Sequence, residues 1–308
     1  MEKQIMQESP VGMGLGVAGR YAGLPNEFSD LEAAKIVLLP VPFDKTTTYQ
    51  KGSDLGPVAL IEASRNLELY DIETEFEVYK VGIHTAEPVS CETSEEMVAN
   101  VYNSVAQFLK LNKFVVTVGG EHSISPAPIR AYAEKYPGLS ILQLDAHADL
   151  QPAYDGNPLS HASAMSRVKE IPEVANLIAV GIRSMSNDEV EFMDKQLTYF
   201  AHDIWDKEAW MDQVVEKLAD NVYVTLDLDV FDPSTMPSTG TPEPGGLGWY
   251  SILKILKKVA GKRNIVGFDI VELCPSSTDK SPDFLAAKLI YKILSYIFVP
   301  HPTTGDCK

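Results

Sequence analysis

Ser140-Ile141-Leu142-Gln143-Leu144-Asp145-Ala146-His147-Ala148-Asp149 decides how the rest of this 308-residue chain is read. A mostly apolar run without period-2 alternation passes directly into a cluster of acids and a histidine. Such a run is what a strand buried on both faces of a parallel sheet requires. The same passage recurs along the chain. Phe114-Val115-Val116-Thr117-Val118 leads to Gly119-Gly120-Glu121-His122-Ser123, and Val222-Tyr223-Val224-Thr225-Leu226 leads to Asp227-Leu228-Asp229. Asn264-Ile265-Val266-Gly267-Phe268 leads to Asp269-Ile270-Val271-Glu272, while Lys35–Pro40 and Leu177–Val180 supply two more candidate strands. In open parallel sheets, ligands bind at the carboxyl ends of the strands, so four stretches deliver acids and histidines to one edge.

Helical segments are predicted between the strands, over 57–70, 95–111, 126–136, 205–218, 250–260 and 284–297. Thr93, three residues before Glu96, gives the second of these a capping-box start. Alternating strands and helices predict an α/β protein of three layers, α/β/α, around a mostly parallel central sheet. No linker, repeat or low-complexity tract divides the chain, so residues 1–30 read as an N-terminal extension packing on a single domain, 31–308. Gly14-Leu15-Gly16-Val17-Ala18-Gly19 matches the dinucleotide fingerprint but lacks the preceding strand and following helix that the motif needs.

A chain of this length, 45% apolar and 22% charged, folds without a metal or disulfide staple, so a metal site here would serve chemistry. Cys91, Cys274 and Cys307 are widely spaced and form no CxxC pair, which argues against a disulfide framework or zinc ribbon. The formal net charge of −17 repels nucleic acid and anionic lipid and favours a cationic ligand. The N-terminus carries acids and no apolar core of a signal peptide. The apolar stretch 285–299 is short and interrupted by Lys288 and Lys292. The expectation is a cytoplasmic protein with neither nucleic-acid nor membrane partners.

Asp145, His147 and Asp149 stand at i, i+2 and i+4, and extended spacing would turn all three to one side. Asp227 and Asp229 repeat the device, and His122 follows a glycine turn. Singly, each pattern suits an ordinary solvated turn; together they give two imidazoles and four carboxylates with no thiol. That set suits Mn²⁺, with Fe, Co or Zn as alternatives. Four carboxylates repel unless neutralised, and two ions sharing bridging carboxylates are the usual solution.

These segments resemble the signatures of the ureohydrolase family of arginases and agmatinases. The likeness extends to Lys51-Gly52-Ser53-Asp54-Leu55-Gly56-Pro57 and to Thr239–Leu247, and runs from about residue 30 to 297. The resemblance implies an arginase-like fold and two Mn²⁺ per subunit. One ion would be held by His122, Asp145, Asp149 and Asp227, the other by Asp145, His147, Asp227 and Asp229. It further implies that Glu272 pairs with the guanidinium of a small cationic substrate and that His161 carries a proton to the departing amine. A hydroxide between the ions, oriented by Asp149, would attack the guanidinium carbon and release urea and an amine. Homotrimers or homohexamers are implied as well.

Gly181-Ile182-Arg183-Ser184 and Gly240-Thr241-Pro242-Glu243-Pro244-Gly245-Gly246 resemble agmatinases more than arginases, making Arg183 and Glu243 candidate substrate contacts. Agmatine, cleaved to putrescine and urea, is the expected substrate; aminopropyl-agmatine, guanidinobutyrate and arginine are the alternatives. Glu121 and Lys45 depart from the common pattern, where many relatives have Asp and Gly. A catalytically silent binding subunit is disfavoured because every expected ligand is present. A single-zinc deacetylase relative is disfavoured by the two bridging aspartates.

Overall fold

The computed structural model describes residues 19–300, so residues 14–18 of the glycine-rich segment lie outside the described part. Eight strands form the sheet: β1 Ile36–Val41, β2 Ile83–Thr85, β3 Phe114–Gly119, β4 Leu139–Leu144, β5 Val174–Ile182, β6 Thr198–Phe200, β7 Asn221–Asp227 and β8 Asn264–Val271. Every pairing is parallel, in the order β2-β1-β3-β8-β7-β4-β5-β6. The helices among the described residues are α1 Asn26–Ser29, α2 Gly56–Ser64, α3 Ser94–Lys110, α4 Pro126–Lys135, α5 Ala164–Lys169, α6 Ala201–Ile204, α7 Ala209–Lys217, α8 Trp249–Lys262 and α9 Ser281–Phe298.

The strand pleat sends alternate side chains into two separate cores. Ile36 and Leu38 of β1, with Leu142 and Leu144 of β4, join residues of α2, α7, α8 and α9. Val37 and Leu39, with Leu139 and Ile141, join α3, α4 and α5. Both faces of the sheet are therefore covered, which is why the central strands read as mostly apolar runs without period-2 alternation. The expected three layers are present, and the sheet is wholly rather than mostly parallel.

Differences from expectation lie at element ends and edges. The short edge strands β2 and β6 carry too few residues for a hydrophobic pattern. The segment 57–70 is helical only to Ser64, whose hydroxyl bonds back to Ile61 O (2.6 Å) and accepts Ala22 N–H (2.7 Å). The segment 205–218 is helical only from Ala209. At α3, Thr93 Oγ1 accepts Glu96 N–H (3.2 Å), but the Glu96 carboxylate takes Glu92 N–H (2.9 Å) instead of closing the box on Thr93. Of the described N-terminal residues, Tyr21 is buried and its hydroxyl reaches Ala287 O (2.7 Å) on α9.

Lys292 of α9 is buried between Asp71 (2.9 Å) and Glu73 (2.6 Å), with the Tyr296 ring 4.7 Å away. Removing the ammonium leaves Asp71 buried without its counter-charge, so Lys292→Ala is expected to cost about 3 kcal/mol. A denaturant midpoint that does not move would contradict this account.

Candidate metal centre and active site

The four central strands β3, β8, β7 and β4 bring His122, Glu272, Asp227 with Asp229, and Asp145 with His147 and Asp149 to adjacent carboxyl ends. The pleat does not simply continue there, contrary to the expectation of extended spacing. Asp227 caps a 3-10 turn, Leu228–Val230, by accepting Asp229 N–H (2.8 Å), and His122 opens another, His122–Ile124. Asp149 (φ 54°) and Glu272 (φ 66°) adopt left-handed backbone, which costs non-glycine residues free energy and concentrates at functional sites. Abrupt departures from strand geometry aim these side chains inward. Gly120 permits the crowding, since a Cβ there would lie 2.1 Å from Phe43 O.

The acids of two strand ends meet the two imidazoles. His122 Nδ1 lies 2.9 Å from Asp149, 3.1 Å from Asp145 and 3.5 Å from Asp227. His147 Nδ1 lies 2.8 Å from Asp229 and 3.9 Å from Asp145. His122, Asp145 and Asp227 form one group able to hold a cation, and Asp145, His147 and Asp229 form a second, so Asp145 belongs to both. Backbone N–H groups occupy the outward oxygens: Asp145 Oδ1 takes His147 N (2.6 Å) and Asp229 Oδ1 takes Ala146 N (3.0 Å).

The wiring behind His122 shows that these residues fit a metal. Thr225 Oγ1 gives its proton to Asp269 (2.8 Å) and faces His122 Nε2 at 3.0 Å. The ring must therefore donate from Nε2, so that in its neutral form Nδ1 is bare toward three carboxylates, a position that only a proton or a metal cation can satisfy. A lone pair confronting carboxylate oxygens calls for a cation, and His122 Nδ1 is a buried nitrogen with no hydrogen-bond partner.

Protons are the other way to relieve this cluster. Burial, then the charges of Asp149 and Asp229, raise Asp145 to about 7. Burial, then Asp229, Asp145 and Glu272, hold Asp227 well above its ordinary range. Burial opposes the charging of His147, yet Asp229 and its neighbours outweigh it and raise the ring to about 10. The same partner and Ala146 N–H overcome burial at Asp229 and lower it to about 2. Cations need bare carboxylates and imidazoles, so loading near pH 7 must expel protons, and affinity must rise with pH through and above 7. Calorimetry of Mn²⁺ binding in two buffers of different ionisation enthalpy measures this release; pH-independent affinity would contradict it.

A cavity of about 120 Å³ opens over the cluster, lined also by Thr47, Thr48, Tyr154, His161, Gly240 and Thr241. Glu272 is buried at its floor; Oε1 accepts His122 N–H (2.7 Å), and Oε2 lies 3.2 Å from where a Gly240 Cβ would stand. Burial, then the charge of Glu121, raise Glu272 well above the usual carboxylate range. Those conditions favour occupancy by a cation.

Arg183 and Glu243 stand apart from this cavity. The Arg183 guanidinium donates to the carbonyls of Asp229 (2.6 Å), Glu243 (2.7 Å), Pro244 (3.1 Å), Gly181 (3.2 Å) and Phe231 (3.3 Å). Most of its donors are taken up by backbone carbonyls of the fold, and Glu243 contributes its main-chain carbonyl to the same clamp. Reading by residue type missed Gln143, whose Nε2 holds Asp145 Oδ2 (2.9 Å), and the Thr225–Asp269 pair. A period-2 count was available for the latter, since it sets Thr225 on the side of Asp227.

A parallel three-layer sheet whose central carboxyl edge carries paired carboxylate–imidazole groups beside a buried glutamate has the make-up of a metal-dependent hydrolase. The model of the arginase family matches residues 34–295, and the chain belongs to that family. It is 37% identical over 264 residues to the N(1)-aminopropylagmatine ureohydrolase of Thermus thermophilus, covering 84% of this chain and 89% of that one. The agmatinase of Pyrococcus horikoshii is 31% identical over 269 residues, covering 86% and 93%. Among solved structures, the agmatine ureohydrolase of Thermoplasma volcanium superposes with a TM-score of 0.81 at 28% identity, over 91% of this chain and 94% of that one. The arginase-like fold and the hydrolase class expected from the motifs thus hold. Among the described residues no helix is long and apolar enough to cross a membrane.

Proposed function

We propose that this chain is a dinuclear-metal ureohydrolase that cleaves agmatine to urea and putrescine. One observation carries the reading: two carboxylate–imidazole groups sharing Asp145 open onto the cavity that holds Glu272. His122, Asp145, Asp149 and Asp227 would hold one ion, and Asp145, His147, Asp227 and Asp229 the other. The oxygen-rich donor set suits Mn²⁺. Such a pair, when bound, supplies a nucleophile from water at neutral pH.

The chain's own side chains do the rest. Glu272 binds and orients the planar cation through charge-assisted hydrogen bonds. Asp149 accepts a hydrogen bond from the attacking water. His161 passes a proton to the nitrogen that departs as amine. Aminopropyl-agmatine is the second reading, favoured by the similarity to a relative named for it. The net charge of −17 favours either polycation. A closed homotrimer or homohexamer in the cytoplasm completes the reading, and light scattering tests the assembly.

The deciding experiment is a urea-release panel with agmatine, aminopropyl-agmatine, guanidinobutyrate and arginine, before and after chelation. Agmatine or its aminopropyl derivative is expected to be best, with activity lost on chelation and restored by Mn²⁺. Arginine as the best substrate, or activity surviving thorough chelation, overturns the proposal.

A further inference from the structure

Behind His161 runs a chain of hydrogen bonds in which no expected metal ligand's side chain takes part. Glu121 is fully buried; Oε2 accepts Thr46 N (2.7 Å), Thr47 N (3.0 Å) and Thr47 Oγ1 (3.2 Å), while Oε1 accepts Ser123 Oγ (2.6 Å) and Thr46 Oγ1 (2.7 Å). Every one of these neighbours is a donor. The Thr46 hydroxyl therefore gives its single proton to Glu121.

The remaining lone pairs of Thr46 Oγ1 face His161, whose backbone N–H and ring Nδ1 each lie 3.0 Å away. With the hydroxyl proton committed, contact with Nδ1 is a hydrogen bond only if the ring supplies the proton. A neutral imidazole carries one N–H, so Nε2 is left as its only basic atom. Tyr154 meets the ring edge-on, with centroids 5.7 Å apart, and both residues line the cavity. The Thr225–Asp269 pair fixes His122 by the same logic in the opposite sense, baring Nδ1 there.

We propose that Glu121 and Thr46 are positioning residues that hold His161 as its Nδ1–H tautomer, with Nε2 free to carry the proton of the hydrolytic step. The inference rests on the proton-transfer role given to His161 above. Nε2 takes a proton released from the attacking water and becomes part of an imidazolium. As the C–N bond breaks, its electron pair goes to the amine nitrogen, which takes that proton from Nε2. The ring returns to its starting tautomer.

The test is a double-mutant cycle on the metal-loaded full chain. Thr46→Val keeps the shape and removes the relay; kcat is expected to fall about tenfold or more. KM stays within about twofold, because binding belongs to Glu272. Thr46→Ser should recover most of the rate. In a His161→Asn background, Thr46→Val should cost nothing further. Equal losses in both backgrounds overturn the positioning role while leaving His161 as the proton carrier. Full urea release by His161→Asn sinks the carrier and this inference together.

If Thr46→Val does not fold, ¹⁵N spectra of the histidine rings in the Zn²⁺-loaded wild-type chain decide, with His161→Asn providing the assignment. A protonated Nδ1 and bare Nε2 on His161 support the proposal, and a protonated Nε2 overturns it. That readout does not depend on which guanidine is cleaved.

Discussion

Asp145→Asn is expected to abolish urea release and to leave the protein with fewer than two metal ions per subunit. Asp145 is shared by both ligand groups and is fully buried, so no neighbouring carboxylate can take its place. Asparagine preserves its volume and its acceptor toward His147 N–H (2.6 Å) while removing the charge. Metal ions contribute several kcal/mol of transition-state stabilisation to such chemistry, so losing their anchor should lower the rate by about 10³-fold or more. Metal analysis and urea assays on the same sample check both halves. Asp203→Asn, at an exposed acid on α6, is the control. An Asp145→Asn protein that retains two ions and ordinary turnover would sink the dinuclear reading.

Glu272→Gln should act on the substrate and spare the metals. The side chain belongs to neither ligand group, so metal content is expected to stay unchanged. The amide oxygen would remain on His122 N–H, where Oε1 now sits at 2.7 Å. Its NH₂ would then face the cavity, setting a donor against the donors of a guanidinium. Truncating one partner of a buried hydrogen-bonded charge pair costs about 2–5 kcal/mol, so kcat/KM should fall by about 30- to 5,000-fold. An unchanged kcat/KM for every guanidine in the panel would remove Glu272 from the site. Glu272→Asp, which keeps the charge but shortens the reach, should fall between the two.

The amino-acid sequence carries the central architecture openly because the sheet is covered on both faces. Each interior strand had to be mostly apolar, and each charged cluster had to mark its end. What the residues could not convey is the order in which distant strands become neighbours. β3 and β4, consecutive in the chain, are separated in the sheet by β8 and β7. Long-range packing sets that order, and it places Glu272 between His122 and Asp227. The DxD and DxHxD patterns pointed to the candidate ligands for a partly wrong reason: His147 keeps a parallel bridge to Ser184, but a 3-10 turn follows Asp227 and Asp149 is left-handed. Arg183 reads as a ligand contact from its charge alone, and the backbone carbonyls it bonds leave no mark in the residue pattern. Glu121 and Thr46 were hidden for the opposite reason: a buried relay leaves no periodic trace.

The Arg183 clamp has a consequence for how firmly the acids are held. One guanidinium bonds carbonyls from the end of β5, the turn after β7 and the 243–244 loop, tying three separate segments into one piece. Pulling any one of them away breaks several of these bonds at once. The turn that carries Asp229 is therefore a braced platform rather than a free loop, anchored through its own main chain.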